Sequence, residues 1–436
     1  MTWQTVKLGD ILERKKNLVE IKDDEEYKLV TVRLFHKGVN LRKVAKGSEL
    51  SSNKMHSVKA GEFILSGIDA RHGAFGIVPA ELEGAVVSND FWCLAFDENI
   101  IEKHFFLKLT STTFFDDLCK KASDGTTNRV RLQADKFFNL EITLPPIEEQ
   151  KDFVQRYSKF EETNHSISTE LNRQLALVKE LRQAYLREAM QGKLARQDST
   201  DEPAEILLEK IKAEKEKLVA EKRIRRDKPL PPINAEEIPF EIPSNWTWGK
   251  LGTITNFIDY RGKTPNKIQS GIKLITAKNV KFGRFSNEPA EFISESDYHK
   301  FMTRGIPKNG DILFTTEAPL GNACLLNQSE IFALAQRIIT IQPILFNNKF
   351  LLNAILSEAI QKQLDKKASG ATAKGIKSSR LVEVLIPLPP LAEQERIVAK
   401  LEKLMKFCDE LEANIRQGIT NADQLLQTAL KEALQS

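Results

Sequence analysis

The sequence predicts an α+β architecture written twice: two tandem globular domains of mixed helix and strand, separated by two long helices that form an antiparallel coiled coil. Three observations carry this prediction. Landmark segments recur in one order along the chain. Each copy mixes short alternating strands with amphipathic helix. Each copy then closes on one long helix with a single apolar stripe.

WQTVKLG (Trp3–Gly9) returns as WTWGKLG (Trp246–Gly252), an offset of 243 residues. GEFILS (Gly61–Ser66) is echoed by GDILFT (Gly310–Thr315), and Lys120–Ser123 by Lys366–Ser369. Turns at Gly125-Thr126 and Gly370-Ala371-Thr372 follow, and LPPIEEQ (Leu144–Gln150) returns as LPPLAEQ (Leu388–Gln394) at an offset of 244. One echo arises by chance; a series in the same order indicates duplication.

Each copy opens with about 145 residues of mixed structure, from the Trp to the Pro-Pro. Tyr27–Phe35 is rich in β-branched residues and largely alternates, and 84–96 and 332–342 are strand-like too. The segments 102–121 and 349–367 have the apolar spacing of amphipathic helices. The long helices start at the Pro-Pro pairs, where a missing N–H leaves nothing unpaired. Glu148, Glu149 and Glu393 then sit near the positive end of the helix dipole. Apolar residues follow at three- and four-residue steps: Phe160, Ile167, Leu171, Leu175, Val178, Leu181, Tyr185 and Ala189 in the first helix. In the second they are Ile397, Leu401, Leu404, Cys408, Leu411, Ile415, Ile419, Ala422, Leu426 and Leu430. This spacing is a coiled-coil seam. The stripes are equally long and equally placed, which favours packing on each other over separate docking on their own domains. At about 1.5 Å per residue, each helix is a rod of roughly 65 Å.

From Glu209 to Lys228 the chain holds nine Lys/Arg against five Asp/Glu. This is the pattern of a solvated helix with i,i+4 ion pairs rather than a DNA-contacting arm. Lys228–Pro232 (KPLPP) ends it as an extended linker. The expected boundaries are 1–146 and 244–389 for the globular domains, 147–197 and 390–436 for the long helices, and 198–243 for the charged helix and linker.

The 436 residues are 41% hydrophobic and 28% charged, ample for at least two cores. Net charge is only +4, so a nucleic-acid surface would have to be local. Cys93, Cys119, Cys324 and Cys408 form no close pair, and free thiols fit a reducing, cytoplasmic setting. The chain begins in globular sequence without a signal-peptide core, and no apolar run reaches membrane-spanning length, so no membrane association is expected.

Signatures of catalysis are missing. His36, His56, His72, His104, His165 and His299 make no HExxH or other metal spacing, and there is no GxSxG. Arg261–Thr264 (RGKT) resembles the end of a phosphate-binding loop, but the glycine required five residues before Gly262 is Phe257. All three Pro-Pro pairs follow leucine, so none is the Asn/Asp-Pro-Pro-aromatic turn of an amino-methyltransferase. The chain is expected to be non-catalytic, with no metal and no cofactor of its own.

The alternation of globular domain and long helix, with LPPxxEQ opening both helices, resembles the specificity subunits of Type I restriction-modification enzymes across the whole chain. Arg261–Pro265 (RGKTP), Ile275–Val280 (ITAKNV), Gly310–Ala323 and Ala335–Ile338 (AQRI) look like one target recognition domain of that family. Val30–Lys43, Gly61–Pro79 and Ser88–Phe91 look like another variant. The resemblance implies a bipartite double-stranded DNA target, one half per recognition domain. It implies helices that dock two methyltransferase subunits and set the half-site spacing, with two motor-nuclease subunits joining for restriction in host defence. S-adenosylmethionine, ATP and Mg2+ are then expected on those partners. One departure is a central charged stretch longer than the repeat requires.

Direct readout needs Arg, Lys, Asn or Gln held at base edges by well-fixed loops. The first domain offers Arg33, His36, Lys37, Arg42, Asp69, Arg71 and His72. The second offers Arg261, Lys263, Lys278, Asn279, Thr316, Glu317, Gln336 and Arg337. Turns bearing Arg129 and Lys374 suit phosphate contact. Asp69 and Arg71 could instead form an internal ion pair. The alternative from another class is a DNA-independent scaffold with the coil as assembly arm. The loop chemistry in both copies speaks against it, and the missing motifs speak against a self-contained methyltransferase-nuclease.

Overall fold

A computed structural model describes residues 3–124, 130–260, 265–328, 330–335, 337–370 and 374–435. The chain divides into two compact units, Met1–Leu171 with Gln417–Ser436, and Asn172–Arg416. Each unit holds one globular copy and a stretch of both long helices.

The duplication reappears in the strand pairing. In the first copy the entry strand Gln4–Lys7 pairs antiparallel with the exit strand Glu141–Leu144, Gln4 opposite Leu144. In the second, Thr247–Lys250 pairs with Leu385–Leu388, Thr247 opposite Leu388. Each copy then has a four-stranded antiparallel sheet of identical topology. Its order is Leu12–Lys15, Phe91–Phe96, Phe63–Ser66, Phe75–Ile77 in one, and Thr255–Asp259, Ile338–Pro343, Ile312–Thr315, Ala323–Leu325 in the other. The copies diverge in the remaining strands. The first has a five-stranded sheet that includes the hairpin of Glu26–Val32 with Val39–Lys46. The second has a three-stranded sheet with a parallel pair, Ile272–Ile275 beside Phe332–Leu334.

The echoed segments have physical jobs. Gly61-Glu62 and Gly310-Asp311 close matching turns. The buried Glu62 carboxylate accepts from the Lys59 N–H at 2.9 Å, and that of Asp311 from the Lys308 N–H at 2.8 Å. Burial pushes the Asp311 carboxyl up. The strands behind these turns and the short helices feed the cores together: Phe63 and Phe75 from strands pack edge-on or stacked with Phe106 and Phe115 from helices in the first copy, and strand Phe314 and helix Phe350 are fully buried in the second.

Five expected elements are broken or shorter than their periodicity suggests, and the strand-like segments 84–96 and 332–342 each fall into two strands, Val86–Val87 with Phe91–Phe96 and Phe332–Leu334 with Ile338–Pro343. The strand read through Phe35 ends at Val32, and Leu34–His36 form a turn. The helix read over 102–121 breaks into Lys103–Thr110 and Thr113–Lys121. There the hydroxyls of Thr110 and Ser111 donate to the Leu107 carbonyl, and that of Thr112 to Leu109, satisfying helix-end acceptors that would otherwise continue the ladder. The helix read over 349–367 breaks in the same place, at Ser357, into Asn348–Leu356 and Glu358–Lys367. The Ser357 hydroxyl donates to Ala354.

LPPxxEQ is a clamp. Gln150 is fully buried; its carbonyl accepts from the Glu102 N–H at 2.9 Å, and its amide donates to Ile100 O at 2.9 Å and Pro145 O at 2.8 Å. Gln394 accepts from the Asn347 N–H at 2.9 Å and donates to Pro389 O at 2.9 Å. One glutamine per copy thus ties the start of the long helix to the first short helix. In the second copy Glu393 is buried as well. It accepts from Trp246 Nε1 at 2.9 Å and from the Gln197 amide, and burial pushes its carboxyl up.

The long helices span Ile147–Met190 and Leu391–Gln435, and neither contains proline. They pack on each other, running antiparallel. In the first unit the Tyr157 hydroxyl reaches the Leu426 carbonyl at 3.5 Å, and Leu171 lies against Gly418. In the second unit Arg182 bridges Asp409 at 2.8 Å and Glu412 at 3.2 Å. Tyr157, Asn164, Val178 and Ala189 are buried from one side of the seam, and Leu401, Cys408, Ile415 and Ala422 from the other. Ile167 is a correction: it is 47% exposed, and Asn164, one turn earlier, takes the inward position.

The charged stretch is also corrected. Ala204–Ala220 is helical, but it is not solvated all round. Ala204, Leu207 and Ile211 are buried in one core with Leu186, Met190, Trp246 and Ile254. Lys215 is tucked in too, donating to the carbonyls of Gly252 and of Thr255, the latter at 2.9 Å, and pairing with Asp227 at 2.8 Å. Ion pairs on the outer face are spaced i,i+3, Glu209–Lys212 and Glu214–Lys217. Among the described residues no helix is long and apolar enough to cross a membrane.

Candidate nucleic-acid interface

In the first copy the candidate residues lie on two loops that are fastened together. The connection between Phe63–Ser66 and Phe75–Ile77 makes a 3₁₀ turn over Ala70–His72 and reverses at Gly73, whose φ is 72°. A Cβ at Gly73 would stand 2.6 Å from the His36 ring, so the close approach requires glycine. The tip of the Glu26–Val32/Val39–Lys46 hairpin docks here: the Phe35 N–H donates to His72 O at 2.8 Å and the His36 N–H to Gly73 O at 2.9 Å. Phe35 and His36 both occupy the left-handed region, φ 59° and 58°, which costs a residue with a side chain about 1–2 kcal/mol. His36 Nε2 lies 3.1 Å from the Asp116 carboxylate, and its ring lies against Phe75. His36 is therefore committed inside the domain, as a fastener rather than a free base reader.

Around this junction Arg33, Lys37, Arg42 and His72 are exposed and Arg71 is half-buried, donating from Nε to His72 Nε2 at 3.1 Å. No ion pair joins Asp69 to Arg71 among the described residues; Asp69 works through its backbone, accepting from the N–H groups of His72 and Ala74. Sequence reasoning missed Arg131. It pairs with Asp90 at 3.1 Å, and the backbone of Gly67 bonds both Asp90 and Leu132, which brings 90 and 131–132 to the same loop. The available signal was the alternation of Arg129 and Arg131 beside a glycine turn. Arg129 itself lies outside the described residues.

In the second copy the equivalent connection, 316–322, is the organiser. Thr316 is buried: its N–H donates to Arg337 O at 2.8 Å, and its carbonyl accepts from the Ile376 N–H at 2.9 Å. Glu317 and Arg337 form an ion pair at 2.7 Å, both side chains about half exposed, and Glu317 also bridges to Gly375. Lys374 is thereby brought to this face, paired with Asp365 at 2.5 Å. Lys278 is largely exposed, 3.9 Å from Glu291.

Two expectations are corrected here. Asn279 is 0% exposed, and its amide is fully occupied, accepting from Thr276 and donating to Ser286 O and Pro289 O. It shapes the loop and has no group left for a base. Thr316 likewise holds two loops together and presents no hydroxyl to solvent. Arg261, Lys263 and Gln336 lie outside the described residues. What remains is a hydrogen-bonded loop cluster on each copy that carries exposed cations, Arg33, Lys37 and His72 around 67–74 and the ion-paired Arg337 and Lys374 around 316–322, side chains of the kind that bind phosphates and read acceptors on base edges.

Comparison with known proteins agrees with this reading. The profile of the Type I restriction modification DNA specificity domain matches residues 1–176 and 243–421, once per copy. The chain is 32% identical over 249 residues to the EcoAI specificity subunit of a Type I restriction enzyme from Escherichia coli, covering 55% of this chain and 42% of that one. It is 28% identical over 277 residues to the EcoEI specificity subunit from the same species, covering 58% and 46%. The matches thus span less than half the length of these relatives. Among solved structures, a chain from a study of complex assembly and conformational transition in a Type I restriction-modification system superposes with a TM-score of 0.69 at 18% identity, covering 99% of this chain and 97% of that one. The HsdS subunit from Thermoanaerobacter tengcongensis superposes with a TM-score of 0.56 at 19% identity, covering 99% and 96%.

Proposed function

The chain belongs to the family of Type I restriction-modification DNA specificity proteins, and on that premise we propose that it reads a bipartite double-stranded DNA target, one half-site per globular copy. The observation that carries the reading is the repeated loop cluster: the same sheet connection, 67–74 in one copy and 316–322 in the other, gathers cations on a fixed backbone. Arg33, Lys37, Arg42, Arg71, His72 and Arg131 serve the first half-site. Lys278, the Glu317–Arg337 pair and Lys374 serve the second.

The paired helices dock two methyltransferase subunits and set the gap between half-sites, and two motor-nuclease subunits join for restriction. S-adenosylmethionine, ATP and Mg2+ then act on those partners, in the cytoplasm, and this chain supplies recognition without catalysis. The cation-bearing loops found on both globular copies speak against the DNA-independent scaffold reading, which has no use for them.

Long-read methylation mapping of cells carrying this chain with its methyltransferase subunits tests the proposal. A single bipartite motif that disappears when the chain is removed is the expected result; methylation indifferent to the chain overturns it. Calorimetry of the purified chain should show no stoichiometric S-adenosylmethionine binding.

A further inference from the structure

Phe35 stands at a hairpin tip 70% exposed, in a left-handed backbone where Asn or Gly would sit with less strain. The second copy has its own hairpin, Val280–Lys281 with Arg284–Phe285, and the two-residue loop is Phe282-Gly283. Phe282 is 46% exposed. The two hairpins are unlike in sequence and length, yet they occupy one topological slot, between the first and second strands, in chain order, of the four-stranded sheet.

They are also fastened to the same place. Phe35 and His36 bond the end of the 67–74 connection. The Gly283 N–H donates to Ala323 O at 2.9 Å, and Asn322 Nδ2 donates to Val280 O at 3.0 Å, at the end of 316–322. Each hairpin abuts the break between the two short helices, His36 at Asp116 and Gly283 beside Leu356. Each exposed ring is flanked by cations, Arg33 and Lys37 in one copy, Lys281 and Arg284 in the other. Among the described residues none of these four is in an ion pair.

We propose that Phe35 and Phe282 are the apolar base contacts of the two recognition domains. Each ring presses on base pairs of its half-site while the flanking cations bind the phosphates alongside. The inference rests on the DNA-reading function proposed above. A ring cannot bond a phosphate, but it can cover a thymine methyl or the face of a base-pair step. Two unrelated hairpins that keep a wet aromatic ring at the same point, one of them against backbone preference, indicate a shared contact.

The test uses the full chain assembled with its methyltransferase subunits, and short duplexes carrying the motif found by methylation mapping. Phe35→Ala should weaken binding to the target about tenfold, the loss expected when roughly 60 Å² of apolar ring surface stays hydrated. Base discrimination should relax in one half-site only, and Phe282→Ala should relax the other. The slope of log affinity against log salt should stay unchanged in both, whereas Arg33→Ala or Lys37→Ala should lower it by about 1. Phe35→Gly should lose the same affinity while melting no lower than the parent, because it relieves the backbone as it removes the ring.

Parent-like affinity and discrimination in both alanine variants would overturn the inference and leave the DNA-reading function standing. Loss of methyltransferase assembly in place of DNA affinity would overturn it too, making the rings protein contacts. A parent complex that binds no duplex would overturn both readings.

Discussion

Gln150 and Gln394 offer a perturbation with a built-in control. Gln150→Ala leaves three groups without partners, the part-buried Glu102 N–H and Ile100 carbonyl and the buried Pro145 carbonyl. Gln394→Ala leaves two, the Asn347 N–H and the Pro389 carbonyl. An orphaned group costs about 1–3 kcal/mol when buried and less where water reaches it, so the losses are about 3 and about 2 kcal/mol, in that order. A chain of two compact units does not unfold in one step, so the assay is native-state hydrogen exchange at the Glu102 and Asn347 amides. At about 1.4 kcal/mol per decade, Gln150→Ala should speed exchange at Glu102 by roughly 100-fold and leave Asn347 alone. Gln394→Ala should speed Asn347 by roughly 30-fold and leave Glu102 alone. Gln150→Glu adds a sign. Burial and the two carbonyls would hold the new carboxyl above its unfolded value. Relative to the parent, the variant is then most stable below the unfolded value of about 4.3 and loses that stability as pH rises through the folded one. Exchange at Glu102 within threefold of the parent in Gln150→Ala, or a Gln150→Glu variant whose deficit against the parent shrinks from acid to neutral pH, would refute the clamp.

Further outcomes follow from the seam and the loops. Ile167→Lys should change stability by less than about 0.5 kcal/mol, whereas Val178→Lys should cost about 3 kcal/mol or more, because only Val178 is buried; thermal melting of the pair checks this. Arg71→Ala should cost about 1–3 kcal/mol of specific binding and relax one half-site, and an equal loss on random DNA in competition assays would make it a phosphate or structural residue. Paired four-residue insertions after Leu175 and after Ile415 lengthen both helices by about 6 Å. Methylation mapping should then return the same half-sites with a gap about 2 bp longer, and an unchanged gap with full activity would remove the helices from the role of ruler.

The duplication and the antiparallel helices were legible because they rest on repeated segments and long periodicity, the signals local noise disturbs least. The failures were local. Asn279 sits in a polar segment that reads as an exposed turn, and only the fold shows its amide enclosed by Thr276, Ser286 and Pro289. Ile167 fits a 3-4 pattern, but Tyr157, Asn164, Leu171 and Val178 keep a steadier seven-residue register that places a polar residue inward. The charged helix hid its buried face because Leu207 and Ile211 are sparse among lysines and glutamates. Phe35 was read as the last residue of a strand, since nothing in YKLVTVRLF marks where a backbone turns left-handed.

The hydrogen-bonded entry and exit strands of each copy carry a genetic consequence. Gln4–Lys7 lies beside Glu141–Leu144, and Thr247–Lys250 beside Leu385–Leu388, so the chain comes in and goes out of each globular copy at neighbouring points. The entry strands lie inside WQTVKLG and its echo, and the exit strands run into LPPIEEQ and its echo, so each copy begins and ends on stretches that the two copies share. Crossovers within these short stretches would lift out everything between them as one cassette and leave the helix seam intact. On the DNA-reading function proposed above, such an exchange would replace the reader of one half-site and leave the paired helices as they were.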